Sequence, residues 1–192
     1  MKNVLIINGH PNQESLNFGI MNAYREGAEK VGAQVQQVII ANLQFDPNLK
    51  YGYQKRIDLE PDLLEAWEKI LWADHLVWVH PVWWGGFPAI MKGFIDRLFL
   101  PGLAFKYREN SVWWDKLLIG KTAHIITTMD QPGWYYRIFF GRPSIKQLKK
   151  SILEFCGVKP VKVTIIGIIK TSDETQRKKW MDKVRISGMK LR

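Results

Sequence analysis

Val4-Leu5-Ile6-Ile7, then Asn8-Gly9-His10-Pro11-Asn12-Gln13-Glu14-Ser15, then Leu16-Asn17, is the stretch that decides the fold. Four consecutive apolar residues, mostly β-branched, read as a strand buried on both faces. A short polar turn follows, and Ser15 suits the N-cap of a helix over Ser15–Val31, where Leu16, Ile20, Ala23, Ala28 and Val31 fall near helical spacing. The same alternation runs through the rest of the sequence. Apolar runs at Val35–Ile40, Leu76–Val79, Thr122–Thr128 and Val161–Ile169 alternate with helical patterns at Pro61–Ala73, Pro88–Leu100, Ser144–Cys156 and Ser172–Ile186. Pro61 fits a first helical turn, and Gly157 fits the end of the fourth helix. Near-continuous apolar strands joined by crossover helices predict an α/β protein with a doubly wound, five-stranded parallel sheet in the order 2-1-3-4-5. An eight-unit barrel needs about 250 residues. The absence of a linker or repeat predicts one domain over residues 1–192.

Composition narrows the function classes. The chain has 28 Lys+Arg against 18 Asp+Glu, a formal charge of +10, and 46% hydrophobic residues, which excludes collagenous and disordered readings. The charge is uneven: residues 1–100 carry −2 and residues 101–192 carry +12. Such an excess attracts anions such as nucleotides, nucleic acid or acidic lipids. The single cysteine, Cys156, makes no intramolecular disulfide and suits a reducing, cytoplasmic setting. It reads as a small buried residue rather than a nucleophile. No apolar run approaches the roughly 20 residues of a membrane span, and the first apolar run is too short for a signal-peptide core. His75, His80 and His124 lack metal-ligand spacing, so no metal is expected. Nine Trp include the adjacent pairs Trp83-Trp84 and Trp113-Trp114, which cannot both face one core, so some should line a surface or pocket.

Sheets of this kind bind ligands at the carboxyl ends of their strands, near the switch point. After strand 1, His10, Ser15 and Asn17 add donors to a helix start whose N–H groups and dipole suit a phosphate. Neither the dinucleotide fingerprint nor a P-loop is present. After strand 3, Pro81-Val82-Trp83-Trp84-Gly85-Gly86-Phe87-Pro88 combines flat apolar area with glycines that let backbone approach a ligand, as a planar heterocycle requires. After strand 4, Thr127–Pro143 carries five aromatics with Arg137 and Arg142, a mixture that suits covering a flat ligand and gripping an anionic one. Read singly, each loop has a structural explanation: a plain strand-to-helix turn, a packed tight loop, an aromatic hairpin against a partner subunit. The three loops converge in the predicted strand order.

These residues resemble the flavodoxin-like-fold NAD(P)H:quinone oxidoreductases, the group that includes mammalian DT-diaphorase and bacterial modulator-of-drug-activity proteins. The matching strings are Leu5–Pro11 with Ser15-Leu16-Asn17, Pro81–Gly93 with Asp96–Phe99, Ala104–Tyr107, Thr127-Thr128, and Phe155-Cys156-Gly157. The resemblance implies that His10, Ser15, Leu16 and Asn17 hold the phosphate or pyrophosphate of a flavin. Pro81, Val82, Trp83, Trp84 and Gly85 would bound its ring system, Thr127 and Thr128 would contact the pyrimidine edge, and Tyr135 would stand over the reacting face. Phe105 and Tyr107 match aromatics that reach the other subunit's active site in dimeric relatives, which implies a homodimer. Trp134, Arg137 and Arg142 would lie on the substrate side. The implied cofactor is FAD, with FMN as the alternative. NAD(P)H is the co-substrate and a quinone or similar small molecule the acceptor.

The sequence departs from the family pattern in three places. Met129-Asp130 replaces a common Gly-Gly after the Thr-Thr pair, no histidine follows His124, and the long C-terminal extension of the mammalian enzymes has no counterpart. A charge relay through the family's histidine therefore does not transfer. One competing reading is a flavin-binding ancillary subunit of a membrane potassium efflux system, with the basic half facing an acidic partner or membrane surface. One-electron flavodoxins are typically acidic and lack the aromatic loop. Nucleic-acid binding is disfavoured because the basic residues of 151–192 punctuate a helix and a strand as solvated faces do.

Overall fold

The structure is a computed structural model and describes residues 1–191. Strands β1 (Asn3–Asn8), β2 (Gln34–Ile39), β3 (His75–Pro81), β6 (Thr122–Thr128) and β7 (Val161–Ile166) form one parallel sheet in the order β2-β1-β3-β6-β7. This is the predicted arrangement. The numbering shifts because a small antiparallel hairpin, β4 (Phe105–Tyr107) and β5 (Trp114–Lys116), intervenes.

Period-two alternation sorts each central strand between two cores. Leu5, Ile7, Leu76, Trp78, Ala123 and Ile125 point to one face, where helices α2 (Pro61–Trp72) and α3 (Ala89–Leu98) cover them. Val4, Ile6, Val77, Val79 and Ile126 point to the other, under α1 (Leu16–Lys30) and α6 (Glu174–Lys190). Those two helices meet backbone to backbone. A Cβ on Gly188 would collide with the Tyr24 carbonyl, so the close approach requires glycine there.

Several expectations are refined. The loop after β6 contains a short helix, α4 (Gly133–Ile138). The expected helix over Ser144–Cys156 begins as α5 (Pro143–Lys146), is π-wound over Gln147–Glu154, and ends before Gly157, whose φ is 107°. The fifth core strand stops at Ile166 rather than Ile169. The long connection over residues 43–60 is pinned by Arg97, which donates to the Glu60 carboxylate and to the carbonyls of Asp46 and Asp58. Some of the paired tryptophans face the surface, as expected, but only the Trp113-Trp114 pair divides between solvent and packing. Trp83, Trp84 and Trp113 are exposed, while Trp114 stacks on Phe155 at 4.2 Å.

Candidate functional site

The carboxyl ends of β1, β3 and β6 open into a cleft with two adjoining parts. The first, about 210 Å³, is bounded by His10, Ser15, Leu16, Asn17, Pro81, Val82 and Thr128 among others. The second, about 410 Å³, lies between Trp84, Gly85, Tyr136 and Phe140. Val82, Met129 and Asp130 line both.

The β1 end is shaped by side chains that bond backbone two residues on. Asn8 Oδ1 accepts from His10 N (2.9 Å), His10 Nδ1 accepts from Asn12 N (3.0 Å), and Asn12 Oδ1 accepts from Glu14 N (2.9 Å). An acceptor role at Nδ1 leaves the His10 proton on Nε2, so the neutral ring can donate from Nε2. Burial lowers the His10 pKa below its ordinary value, which favours that neutral form. Ser15 occupies the N-cap of α1 with extended backbone, as expected, but its hydroxyl does not cap the helix. Ser15 Oγ is buried without a protein partner, and the first turn of α1 carries no acidic residue. A free hydroxyl beside an uncapped positive helix end fits a phosphate group. Asn17 is buried and accepts from the Thr128 hydroxyl at 3.1 Å, tying the end of β6 to α1.

At the β3 end, Trp83 and Gly86 exchange both backbone hydrogen bonds at 2.9 Å around Trp84-Gly85. Both central residues have positive φ, 51° and 78°, so the turn is a two-residue I′ type. Gly85 tolerates this freely. Trp84 does not, and holding a tryptophan there costs about 1–3 kcal/mol. The turn lifts the Trp84 indole into solvent at the lip of the cleft.

What secures the turn is Tyr136, a residue missing from the sequence expectations. It is 1% exposed, and its hydroxyl bonds the Gly85 carbonyl (2.9 Å), Ser144 Oγ (2.7 Å) and Ser144 N (3.0 Å). The tyrosine that lines the cleft is therefore Tyr136. Tyr135, one residue earlier and about 100° around the helix, is half-buried and stacks on Phe139 at 4.6 Å. Trp134 and Arg137 are exposed on the same helix, and Arg142 is half-buried with a φ of 57°.

The other expected residues divide. Thr128 lines the cleft, whereas Thr127 is fully buried, its hydroxyl unpartnered, and lies outside the lining. Phe105 and Tyr107 line a separate groove of about 310 Å³ with Phe99, Phe155 and Cys156. Phe105 is 7% exposed, packed between Tyr107 and Phe155, so only Tyr107 presents a free ring. Met129, Asp130, Gln131, Phe140 and Ile169 join the cleft, Ile169 because its N–H bonds the Met129 carbonyl. Cys156 is buried, which pushes its thiol pKa up to about 12, as a structural residue requires. Among the described residues no cluster could hold a metal ion, and no helix is long and apolar enough to cross a membrane.

A protein-family model described as a flavodoxin-like fold matches residues 2–187. The chain belongs to this flavodoxin-like family. A Haemophilus influenzae protein named as an uncharacterized NAD(P)H oxidoreductase is 29% identical, covering 94% of this chain and 91% of its own. The rat ribosyldihydronicotinamide dehydrogenase [quinone] is 27% identical, covering 96% and 91%. A solved structure from Streptococcus mutans superposes with a TM-score of 0.86 at 34% identity, covering 98% of this chain and 99% of that one. The resemblance to NAD(P)H:quinone oxidoreductases read from the sequence strings is thus seen again over nearly the whole chain in these relatives.

Proposed function

We propose that this chain is a flavin-dependent NAD(P)H:quinone oxidoreductase. The observation that carries the reading is the union, in one cleft, of an uncapped α1 N-terminus with an unpartnered Ser15 hydroxyl and a strained I′ turn that presents an indole and backbone donors. The first is chemistry for a phosphate, the second for a flat heterocycle. Names of the relatives, an NAD(P)H oxidoreductase and a quinone dehydrogenase, support the same reading.

When bound, a flavin would supply an acceptor and donor of hydride, which the side chains lack. His10 Nε2–H, the Ser15 hydroxyl and the N–H groups of Leu16 and Asn17 would hold its phosphate or pyrophosphate. FAD, with FMN as the alternative, is the flavin that the family resemblance suggests. Pro81, Val82, Trp83, Trp84 and Gly85 would bound the ring, with Thr128 at the pyrimidine edge. Met129 and Asp130 stand where Gly-Gly is common, so side chains line the cleft there. The Tyr136 hydroxyl is committed to Gly85 and Ser144. The hydroxyl left for a quinone oxygen is that of Tyr135 on the same helix. Arg137 and Arg142 at the mouth would grip the phosphates of the dinucleotide. A homodimer would bring Tyr107 of one subunit toward the other's cleft.

One open ring face, used by donor and then acceptor, predicts ping-pong kinetics. Steady-state NAD(P)H oxidation with a soluble quinone, varied in both substrates, should give parallel double-reciprocal lines. Intersecting lines would refute the shared face, and no quinone-dependent oxidation by flavin-loaded protein would refute the function.

A further inference from the structure

The two parts of the cleft meet at Val82, Met129 and Asp130, the residues that line both. Val82 and Met129 offer only apolar side chains there. Asp130 is the one polar side chain at the junction. Among the described residues it is also the one acidic or basic side chain in either lining, His10 being neutral, since no Lys, Arg or Glu borders the two parts. Its place is fixed by the chain beyond β7. The neighbouring Met129 donates its N–H to the Ile166 carbonyl (3.0 Å) and accepts from Ile169 N–H (3.2 Å). Asp130 Oδ1 accepts from Lys170 N–H at 3.0 Å. The residue is exposed, and its Oδ2 has no hydrogen-bond partner among the described residues, so that oxygen is open to a ligand in the cleft.

We propose that Asp130 determines specificity for the linker of the bound flavin, its free carboxylate oxygen accepting hydrogen bonds from the ribityl hydroxyls. This role rests on the flavin reading, which puts a phosphate in the smaller part of the cleft and a ring in the larger. What joins phosphate to ring in any flavin is a hydroxyl-bearing chain, and that chain must cross the junction. Val82 and Met129 would strip water from its hydroxyls there and return no hydrogen bond, which is costly. A carboxylate only accepts, and its bonds from O–H donors are charge-assisted and about twice as strong as neutral ones. The Gly-Gly common at positions 129 and 130 has no side chain to offer, so the contact belongs to this chain. The bond to Lys170 N–H does not account for the residue type, because an asparagine would serve it equally.

The test is fluorescence titration of flavin-free protein with FMN and with a phosphopentyl flavin, which keeps the ring and the phosphate but carries hydrogens in place of the linker hydroxyls. The unaltered protein should bind FMN at least about ten-fold more tightly than the analogue, the worth of one charge-assisted hydrogen bond. In Asp130→Ala that preference should fall to about three-fold or less. Removing the charge also eases repulsion of the phosphate, but equally for both ligands, so the ratio of affinities reads the linker. Asp130→Asn keeps an oxygen for Lys170 N–H, so its Tm should stay within about 2 °C of the unaltered protein. Its preference should nonetheless drop, because only a neutral partner remains for the hydroxyls. Equal binding of the two ligands by the unaltered protein, or an undiminished preference in Asp130→Ala, would overturn the role of Asp130 and leave the flavin site standing. Weakening of both ligands to the same extent would mark Asp130 as a loop tether and overturn the role as well. No binding of either ligand or of FAD would overturn the flavin reading, and the role of Asp130 with it.

Discussion

Replacing Tyr136 by Phe removes one oxygen at the point where three segments meet. That hydroxyl is hydrogen-bonded to the Gly85 carbonyl at 2.9 Å, to Ser144 Oγ at 2.7 Å and to Ser144 N at 3.0 Å. After the change Gly85 O and Ser144 N still have each other, at 3.1 Å. Ser144 Oγ does not: Ser144 is fully buried and its hydroxyl loses its partner. An orphaned buried hydroxyl costs about 1–3 kcal/mol. For a chain of this size each kcal/mol lowers Tm by roughly 2–4 °C, so a central value of about 2 kcal/mol predicts a fall of roughly 4–8 °C in flavin-free protein. The I′ turn is held in a conformation that Trp84 resists, so flavin affinity should fall as well. Tyr135→Phe is the internal comparison, because that ring lies outside the anchor; its Tm should move by less than about 2 °C. Adding Ser144→Ala to Tyr136→Phe should recover part of the loss, since it removes the stranded hydroxyl. Thermal melts and flavin fluorescence titration read both effects. Equal destabilisation by the two Tyr→Phe changes, or no change in either readout for Tyr136→Phe, would refute the anchor.

Ser15→Ala deletes a hydroxyl that no protein group satisfies, so the flavin-free protein should melt at the same temperature or slightly higher, while flavin binding weakens about ten-fold in a fluorescence titration; a large loss of stability would show that the hydroxyl is structural. Burial holds His75 at about 3 and His80 and His124 at about 4, all below the ordinary histidine value. Their neutral forms are favoured on folding, so the stability they contribute is present above about pH 6.5 and is lost as the pH falls toward those folded values, by roughly 2 kcal/mol per histidine at pH 5. Urea midpoints at pH 7.5 and 5 check this, and unchanged midpoints would contradict it. Replacing Arg137 and Arg142 together by Ala should raise KM for NADPH more than for NADH, and equal effects would remove them from the dinucleotide's phosphate site.

The fold was legible because the central strands β1 and β3 carry uninterrupted apolar runs and three of the crossover helices carry a recognisable start or stop residue. Ser15, Pro61 and Gly157 all stand where helix chemistry places them. The hairpin was not legible. Three-residue strands such as Phe105–Tyr107 are too short for alternation to register. The first half of the cleft could be read because His10, Ser15 and Asn17 lie on one continuous strand-to-helix turn. The second half depends on phase and chain reversal. Gly85-Gly86 is the glycine pair visible in the sequence, whereas the turn centres one residue earlier, on Trp84-Gly85. Tyr135 and Tyr136 differ only by their rotation on a six-residue helix inside an expected loop, a difference that no sequence period fixes. Ile169 enters the cleft only because the chain turns back after β7, beyond the reach of local pattern.

The proposed flavin site lies at the α1 N-terminus and the Trp84 turn. Denaturing the protein purified in the presence of added flavins and identifying the released pigment by chromatography tests it most directly. The account predicts FAD at about one molecule per chain, with occupancy reduced in Ser15→Ala. FMN in its place would overturn the choice of FAD, and protein that retains no flavin would overturn the site itself.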